Sequence, residues 1–156
     1  MALSAGDTAP DFTLFDSDHQ PFHLAEADKP VVVLFFPGAF TSVCTTELNE
    51  VGNDYGQYTD LGAQVVAIST DSPFALAEFK KVHGFPFRLL SDHEGEVAAA
   101  YGAKYDGDFT DMKLSRIAKR AAFVVGADGA LRYAEVLDNA GQMPDFDAVV
   151  SALEDA

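Results

Sequence analysis

Hydrophobic positions along this chain follow two periods, and the switches between them mark out the elements. Residues 11–15 and 22–24 alternate apolar and polar side chains around the turn-prone Asp16-Ser17-Asp18, which predicts a short hairpin. Val31 to Phe36 is an unbroken run of β-branched, aliphatic and aromatic residues ended by Pro37-Gly38. A run that short with no polar member predicts a strand buried on both faces, as in the middle of a sheet. Leu48, Val51, Tyr55 and Tyr58 then repeat at helical spacing behind Thr41 or Ser42, either of which can cap the start. Gly52 and Gly56 lie inside that helix and each costs about 1 kcal/mol against alanine, so a bend is expected there. Gln64 to Ser69 predicts the next strand. Strand, helix and strand at this length make a parallel crossover, which is right-handed by rule.

In the second half, Ser72-Pro73 supplies a cap and a first-turn proline for another helix, which Gly84 stops. Phe87 to Leu90 predicts a short strand, and Glu94 to Tyr101 a short helix. Ala122 to Val125 and Leu131 to Val136 flank Gly126-Ala127-Asp128-Gly129, a hairpin pattern. Phe146, Val149, Val150 and Leu153 stand at i, i+3, i+4 and i+7, the stripe of a helix laid on a sheet. A βαβ half followed by a ββα half is the thioredoxin-like arrangement. The predicted class is therefore α/β, a mixed central sheet flanked by helices, with an N-terminal hairpin. No repeat, low-complexity tract or linker interrupts residues 1–156, which read as one domain.

Composition narrows the class further. A hydrophobic content of 48% suffices for a core, and a domain of this length buries roughly 70% of its unfolded surface. The single cysteine admits no internal disulfide, and Met1 to Pro10 has neither the basic start nor the apolar stretch of a signal peptide. A cytoplasmic protein is expected. The net charge of −15, from 25 acidic and 10 basic residues, repels phosphate backbones and anionic lipid, so neither nucleic acid nor membrane is an expected partner. The acid excess is mostly aspartate. Adaptation to concentrated salt is one account of that bias and an ordinary acidic protein the other; melting in low and in molar KCl separates them.

The candidate chemistry sits at Cys44. It falls two or three residues inside the first long helix, at the carboxyl end of a buried strand, where open α/β sheets place their ligand sites. First-turn amides lack intrahelical partners and direct partial positive charge at what lies before them, so a sulfur there is favoured as the nucleophilic thiolate. Cys44 also precedes Leu48 by four residues, on the inward stripe, and should point into a semi-enclosed pocket. Because the body of the protein is anionic, a local cation is wanted as well. A lone cysteine can equally be a small buried hydrophobe, and its neighbours decide between the two.

Those neighbours read Pro37-Gly38-Ala39-Phe40-Thr41-Ser42-Val43-Cys44, followed by Thr45-Thr46-Glu47-Leu48. This resembles the Pro-x-x-x-Thr-x-x-Cys signature of the peroxiredoxins, placed between a strand and a helix as that family has it. A second segment, Arg120-Ala121-Ala122-Phe123-Val124-Val125, is similar to the family's arginine ahead of a Phe-Val strand. Both motifs together with the order of elements carry the likeness over essentially the whole chain. The resemblance implies a thiol-dependent peroxidase reducing hydrogen peroxide and organic hydroperoxides. Cys44 would be the nucleophile that becomes a sulfenic acid, and Thr41 would hydrogen-bond the peroxide. Pro37 would wall the pocket, and Arg120 would hold the thiolate and the developing charge. On the residues alone, Thr41 also reads as a cap, Pro37 as a strand stop, and Arg120 as a solvated charge of the locally basic stretch from Lys113. Glu47 reads either as a support that orients the arginine or as an acid favoured by a helix's first turn.

The missing second cysteine sets the subclass. In one compact subfamily a resolving thiol lies five residues beyond the first, and here that position is Asn49. The resemblance is thus to one-Cys peroxiredoxins, without the C-terminal extension of the longer ones, and the expected reductant is an external small thiol or a thioredoxin-like protein. Family likeness also implies a homodimer or higher homo-oligomer. No cofactor is expected. His19, His23, His83 and His93 are scattered, and Asp106-Gly107-Asp108 with Asp111 lacks the spacing of a calcium loop, so no metal is expected either. A redox sensor that oxidises once, or an inert interaction module of the same fold, is the alternative to a turning-over enzyme.

Overall fold

The apolar run at Val31 makes the strand on which the rest of the fold is built. The computed structural model describes residues 3–107 and 112–156. Its elements in chain order are β1 (Thr13–Asp16), β2 (Pro21–His23), β3 (Val31–Phe35), α1 (Ser42–Asn53), α2 (Tyr55–Asp60) and β4 (Gln64–Ser69). They continue with α3 (Pro73–His83), β5 (Arg88–Ser91), α4 (Glu96–Ala100), β6 (Ala121–Val125), β7 (Leu131–Val136) and α5 (Phe146–Glu154). The strands form one seven-stranded sheet in the order β2-β1-β5-β4-β3-β6-β7. β4 lies parallel to both β3 and β5, whereas β6 runs antiparallel to β3 and to β7. The predicted hairpin of β1 and β2 joins the same sheet through β5. This is a thioredoxin-like fold.

Every residue of β3 is buried because both faces of the sheet are covered. Val32 and Leu34, continued by Phe36, pack with Leu48 and Val51 of α1, Tyr58 of α2, Leu76 and Phe79 of α3, and Val149 and Leu153 of α5. Val31, Val33 and Phe35 face Phe12, Phe22 and Leu24 together with Ala98 and Tyr101. Each such side chain withdrawn from water contributes about 1.5–3 kcal/mol, which is why a polar residue anywhere in this run would be costly.

Local chemistry sets the element ends. Ser72 Oγ accepts from the Ala75 amide at 3.2 Å, and Gly84 closes α3 with φ of 66°. The expected bend in the first helix is a break at Asp54, between α1 and α2. Gly52 permits close packing there: a Cβ on it would stand 3.3 Å from Pro86 Cδ. Several boundaries differ from expectation by a residue or two, and two of them have a clear local cause. β5 spans Arg88–Ser91, since Phe87 stacks on Phe85 at 5.5 Å instead of joining the ladder. α4 starts only at Glu96, because the Asp92 carboxylate takes the Val97 and Ala98 amides while Gly95 turns through φ of 74°.

Register positions the site. Phe35 pairs with Ala121, so Arg120 stands just past the carboxyl end of β3, where the chain turns toward α1. Phe35 also pairs with Ile68, which brings the residues after β4 to the same edge. Among the described residues no helix is long and apolar enough to cross a membrane.

Candidate active site

Cys44 is the third residue of α1, and its side chain is 1% exposed. The first bond of the helix runs from the Thr45 amide to Thr41 O, which leaves the earlier amides of the turn facing the start of α1. The stripe of Leu48 and Val51 turns the sulfur inward beneath a cleft of about 620 Å³. Pro37, Ala39, Thr41 and Val43 line this cleft on the helix side, and Arg120 lies within it.

Arg120 is the local cation that the anionic protein needed. It is 1% exposed, so the solvated-charge reading of it does not hold. One arm of its fork, Nη1, donates to Glu47 Oε1 at 2.6 Å. The other, Nη2, donates to Cys44 Sγ at 3.2 Å and to Ala140 O at 2.9 Å. A planar guanidinium can bridge a carboxylate and a sulfur in this way, and a lysine cannot. Burial works to lower the affinity of Arg120 for its proton, but Glu47 and Cys44 outweigh it and hold the group more firmly charged than a free arginine.

Glu47 lies in the second turn of α1 and is fully buried, so the helix-start reading fails and contact with the arginine stands. Its Oε2 has no hydrogen-bond partner among the described residues, and neither does Arg120 Nε. Burial pushes the Glu47 carboxyl up to about 7 against the opposing pull of Arg120. The orphaned oxygen is the structural counterpart of that shift, because a buried carboxylate lacking donors favours its neutral form.

Thr41 is the residue before α1, yet its side chain makes no capping bond. Its hydroxyl donates to Gly38 O at 2.8 Å, which leaves the oxygen's lone pairs for other partners. The residue preceding it, Phe40, has φ of 64° and lays its ring 5.0 Å from that of Phe79. Pro37, Thr41, Cys44, Glu47 and Arg120 are all brought together beyond the carboxyl end of β3.

With this geometry in place, comparison with known proteins decides the family. Residues 5–134 match the model of the AhpC/TSA family. The chain belongs to the AhpC/TSA family of peroxiredoxins. Alkyl hydroperoxide reductase E of Mycobacterium bovis is 36% identical over 138 residues, covering 86% of this chain and 86% of that one. The selenocysteine-containing peroxiredoxin PrxU of Peptoclostridium acidaminophilum is 34% identical over 146 residues, covering 86% of this chain and 68% of that one. Among solved structures, peroxidoxin BcpB of Mycobacterium tuberculosis superposes with a TM-score of 0.86 at 30% identity, covering 98% of this chain and 97% of that one. This peroxiredoxin is a thiol-dependent peroxidase.

Several cleft residues carry no motif in the sequence. Met112, Leu114 and Ile117 form an apolar wall, although the last two come from the stretch from Lys113 that reads as basic. Asp71 sits two residues past β4, where a carboxylate following a parallel strand was the available signal. Ala140 contributes a backbone oxygen, which no side-chain pattern marks. The histidines have other surroundings: His23 bonds Asp11 at 2.7 Å, His93 reaches Thr70 O at 3.2 Å, His83 lies against Phe79, and His19 against Phe74. No group of three metal-ligating side chains converges among the described residues. Asp108 and Asp111 of the acidic turn lie outside them.

Proposed function

We propose that this peroxidase runs a one-Cys cycle on hydrogen peroxide and organic hydroperoxides. The Cys44 thiolate attacks the OH oxygen of the peroxide, the O–O bond breaks, and that OH passes to sulfur as a sulfenic acid. The other oxygen leaves as hydroxide or alkoxide and takes a proton from water. One external thiol then condenses with the sulfenic acid, releasing water and forming a mixed disulfide. A second thiol displaces Cys44 and leaves as the oxidised reductant. A small thiol or a thioredoxin-like protein fills that role, since the chain has a single cysteine.

Each neighbour has a part in the first step. Negative charge moves from sulfur to the leaving oxygen, so a fixed guanidinium over that path acts in the transition state rather than only on the substrate complex. Arg120 supplies it, with Glu47 fixing the orientation of the fork. Thr41 hydrogen-bonds the peroxide, and Pro37 keeps bulk water off the sulfur. The wall of Met112, Leu114 and Ile117 gives an organic hydroperoxide an apolar surface for its tail. A homodimer or higher homo-oligomer belongs to the same proposal, on family likeness.

The observation that carries the reading is the Arg120 bond to the one cysteine sulfur of the chain, at 3.2 Å, in a cleft open to substrate. The test is consumption of peroxide by reduced protein, first without and then with a thiol. One equivalent should disappear without thiol, and repeated turnovers should follow its addition. Cys44→Ser should consume none; consumption at the parent rate would refute the assignment. An oxidised protein that no thiol restores would instead be a sensor that fires once.

A further inference from the structure

Outside the Pro-x-x-x-Thr-x-x-Cys segment, one carboxylate holds the loop on which that segment lies. Asp71 lines the cleft from the loop between β4 and α3. Its Oδ2 accepts from the Ala39 amide at 2.8 Å and from the Ser69 hydroxyl at 2.6 Å. Its own amide donates to Ser69 Oγ at 3.2 Å, and its carbonyl accepts from the Ser91 hydroxyl at 2.6 Å. Ser69 and Ser91 are buried at the ends of β4 and β5. Asp71 is thereby tied to two strands while it reaches across to the loop leaving a third.

The bond to Ala39 lands where that loop is under strain. The next residue, Phe40, has φ of 64°, a backbone conformation that a bulky side chain seldom adopts. Thr41 follows directly, its hydroxyl folded back on Gly38 O. A turn carrying a strained residue has less strained alternatives, and something rigid must exclude them. Docking of the Phe40 ring on Phe79 holds one side of the turn. On the other side is a backbone N–H bound to a carboxylate, among the stronger hydrogen bonds a protein makes.

We propose that Asp71 is a positioning residue: by fixing the Ala39 amide it sets the turn that presents Thr41 to the peroxide. The proposal rests on the role given to Thr41 above. None of the Asp71 bonds reaches Cys44 or Arg120, so its loss should fall on peroxide attack and spare the general reactivity of the thiol.

The test compares two reactions of reduced protein: stopped-flow oxidation by hydrogen peroxide, and alkylation by iodoacetamide, which needs no Thr41. Asp71→Ala should slow oxidation about 10- to 100-fold, the scale of a misplaced catalytic group, and leave alkylation within about threefold. Asp71→Asn keeps an oxygen for the Ala39 amide and should recover to within about fivefold of the parent. In a Thr41→Val background, Asp71→Ala should add less than about threefold, as residues acting through one another are not additive. Hydrogen exchange on the unsubstituted protein reads the same bond without a variant, and the Ala39 amide should be protected. Four results would overturn the role: oxidation unchanged in Asp71→Ala, alkylation slowed equally, additivity with Thr41→Val, or an unprotected Ala39 amide. A parent protein inert to peroxide would sink the peroxidase cycle and this role with it. A reactive parent with an indifferent Asp71→Ala sinks this role alone.

Discussion

Replacing Glu47 by glutamine isolates the cost of the buried charge beside Arg120. Glu47 is fully buried, one oxygen lies 2.6 Å from Arg120 Nη1, and the other has no partner among the described residues. Its carboxyl is raised from an ordinary 4.5 to about 7, burial being the dominant cause. A group raised on folding binds its proton more tightly in the native than in the unfolded chain. The stability it contributes is full below pH 4.5 and is lost progressively as pH rises to about 7. At about 1.4 kcal/mol per unit, the loss above pH 7 is about 3 kcal/mol. Glu47→Gln does not titrate and keeps an oxygen for Nη1, so its stability relative to the parent should climb between pH 5 and pH 8. For a chain of this length the gain corresponds to a melting-temperature difference on the order of 10 °C. The Asp92 carboxyl is also raised by burial, so only the difference between the two proteins is diagnostic. Thermal or urea melts of both across that pH range provide the measurement. Parallel stability curves across that pH range would refute the reasoning.

Three further outcomes are expected. Arg120→Met removes the fork that spans Glu47, Cys44 and Ala140, and oxidation by hydrogen peroxide followed by stopped flow should slow by about 10²- to 10³-fold. Phe79→Ala empties a fully buried site shared with Phe36, Phe40 and Phe85, and denaturant melts should show a loss of about 3–5 kcal/mol. Leu114→Ser puts a hydroxyl on the apolar wall of the cleft; kcat/KM should fall roughly tenfold for cumene hydroperoxide while that for hydrogen peroxide stays within about twofold.

Much of the architecture is legible in the order of residues. The strands at Val31 and Gln64, the helix from Ser72-Pro73 to Gly84, the last hairpin and the amphipathic C-terminal helix all stand where the pattern puts them. Each rests on local rules, namely the period of the apolar positions, a cap, or a residue that tolerates positive φ. Failures were equally local in cause. Thr41 could be placed at the helix start from its type, but not the choice of its hydroxyl between a capping amide and Gly38 O. The two readings of Glu47 were tied until burial separated them.

By itself, the chain's order of residues determined which segments are strand or helix, which faces are apolar, and that one sulfur stands at the amide end of a helix. Tertiary structure decided what meets that sulfur. The pairing of Phe35 with Ala121 carries Arg120 across the sheet to Cys44, and the pairing of Phe35 with Ile68 brings Asp71 to Ala39. The first meeting is expected only through resemblance to a family, and neither follows from the periods, caps and turns of the chain itself. A period reports which face a side chain shares with its own element, whereas a hydrogen bond between distant segments depends on strand order and register, fixed only when the whole core closes.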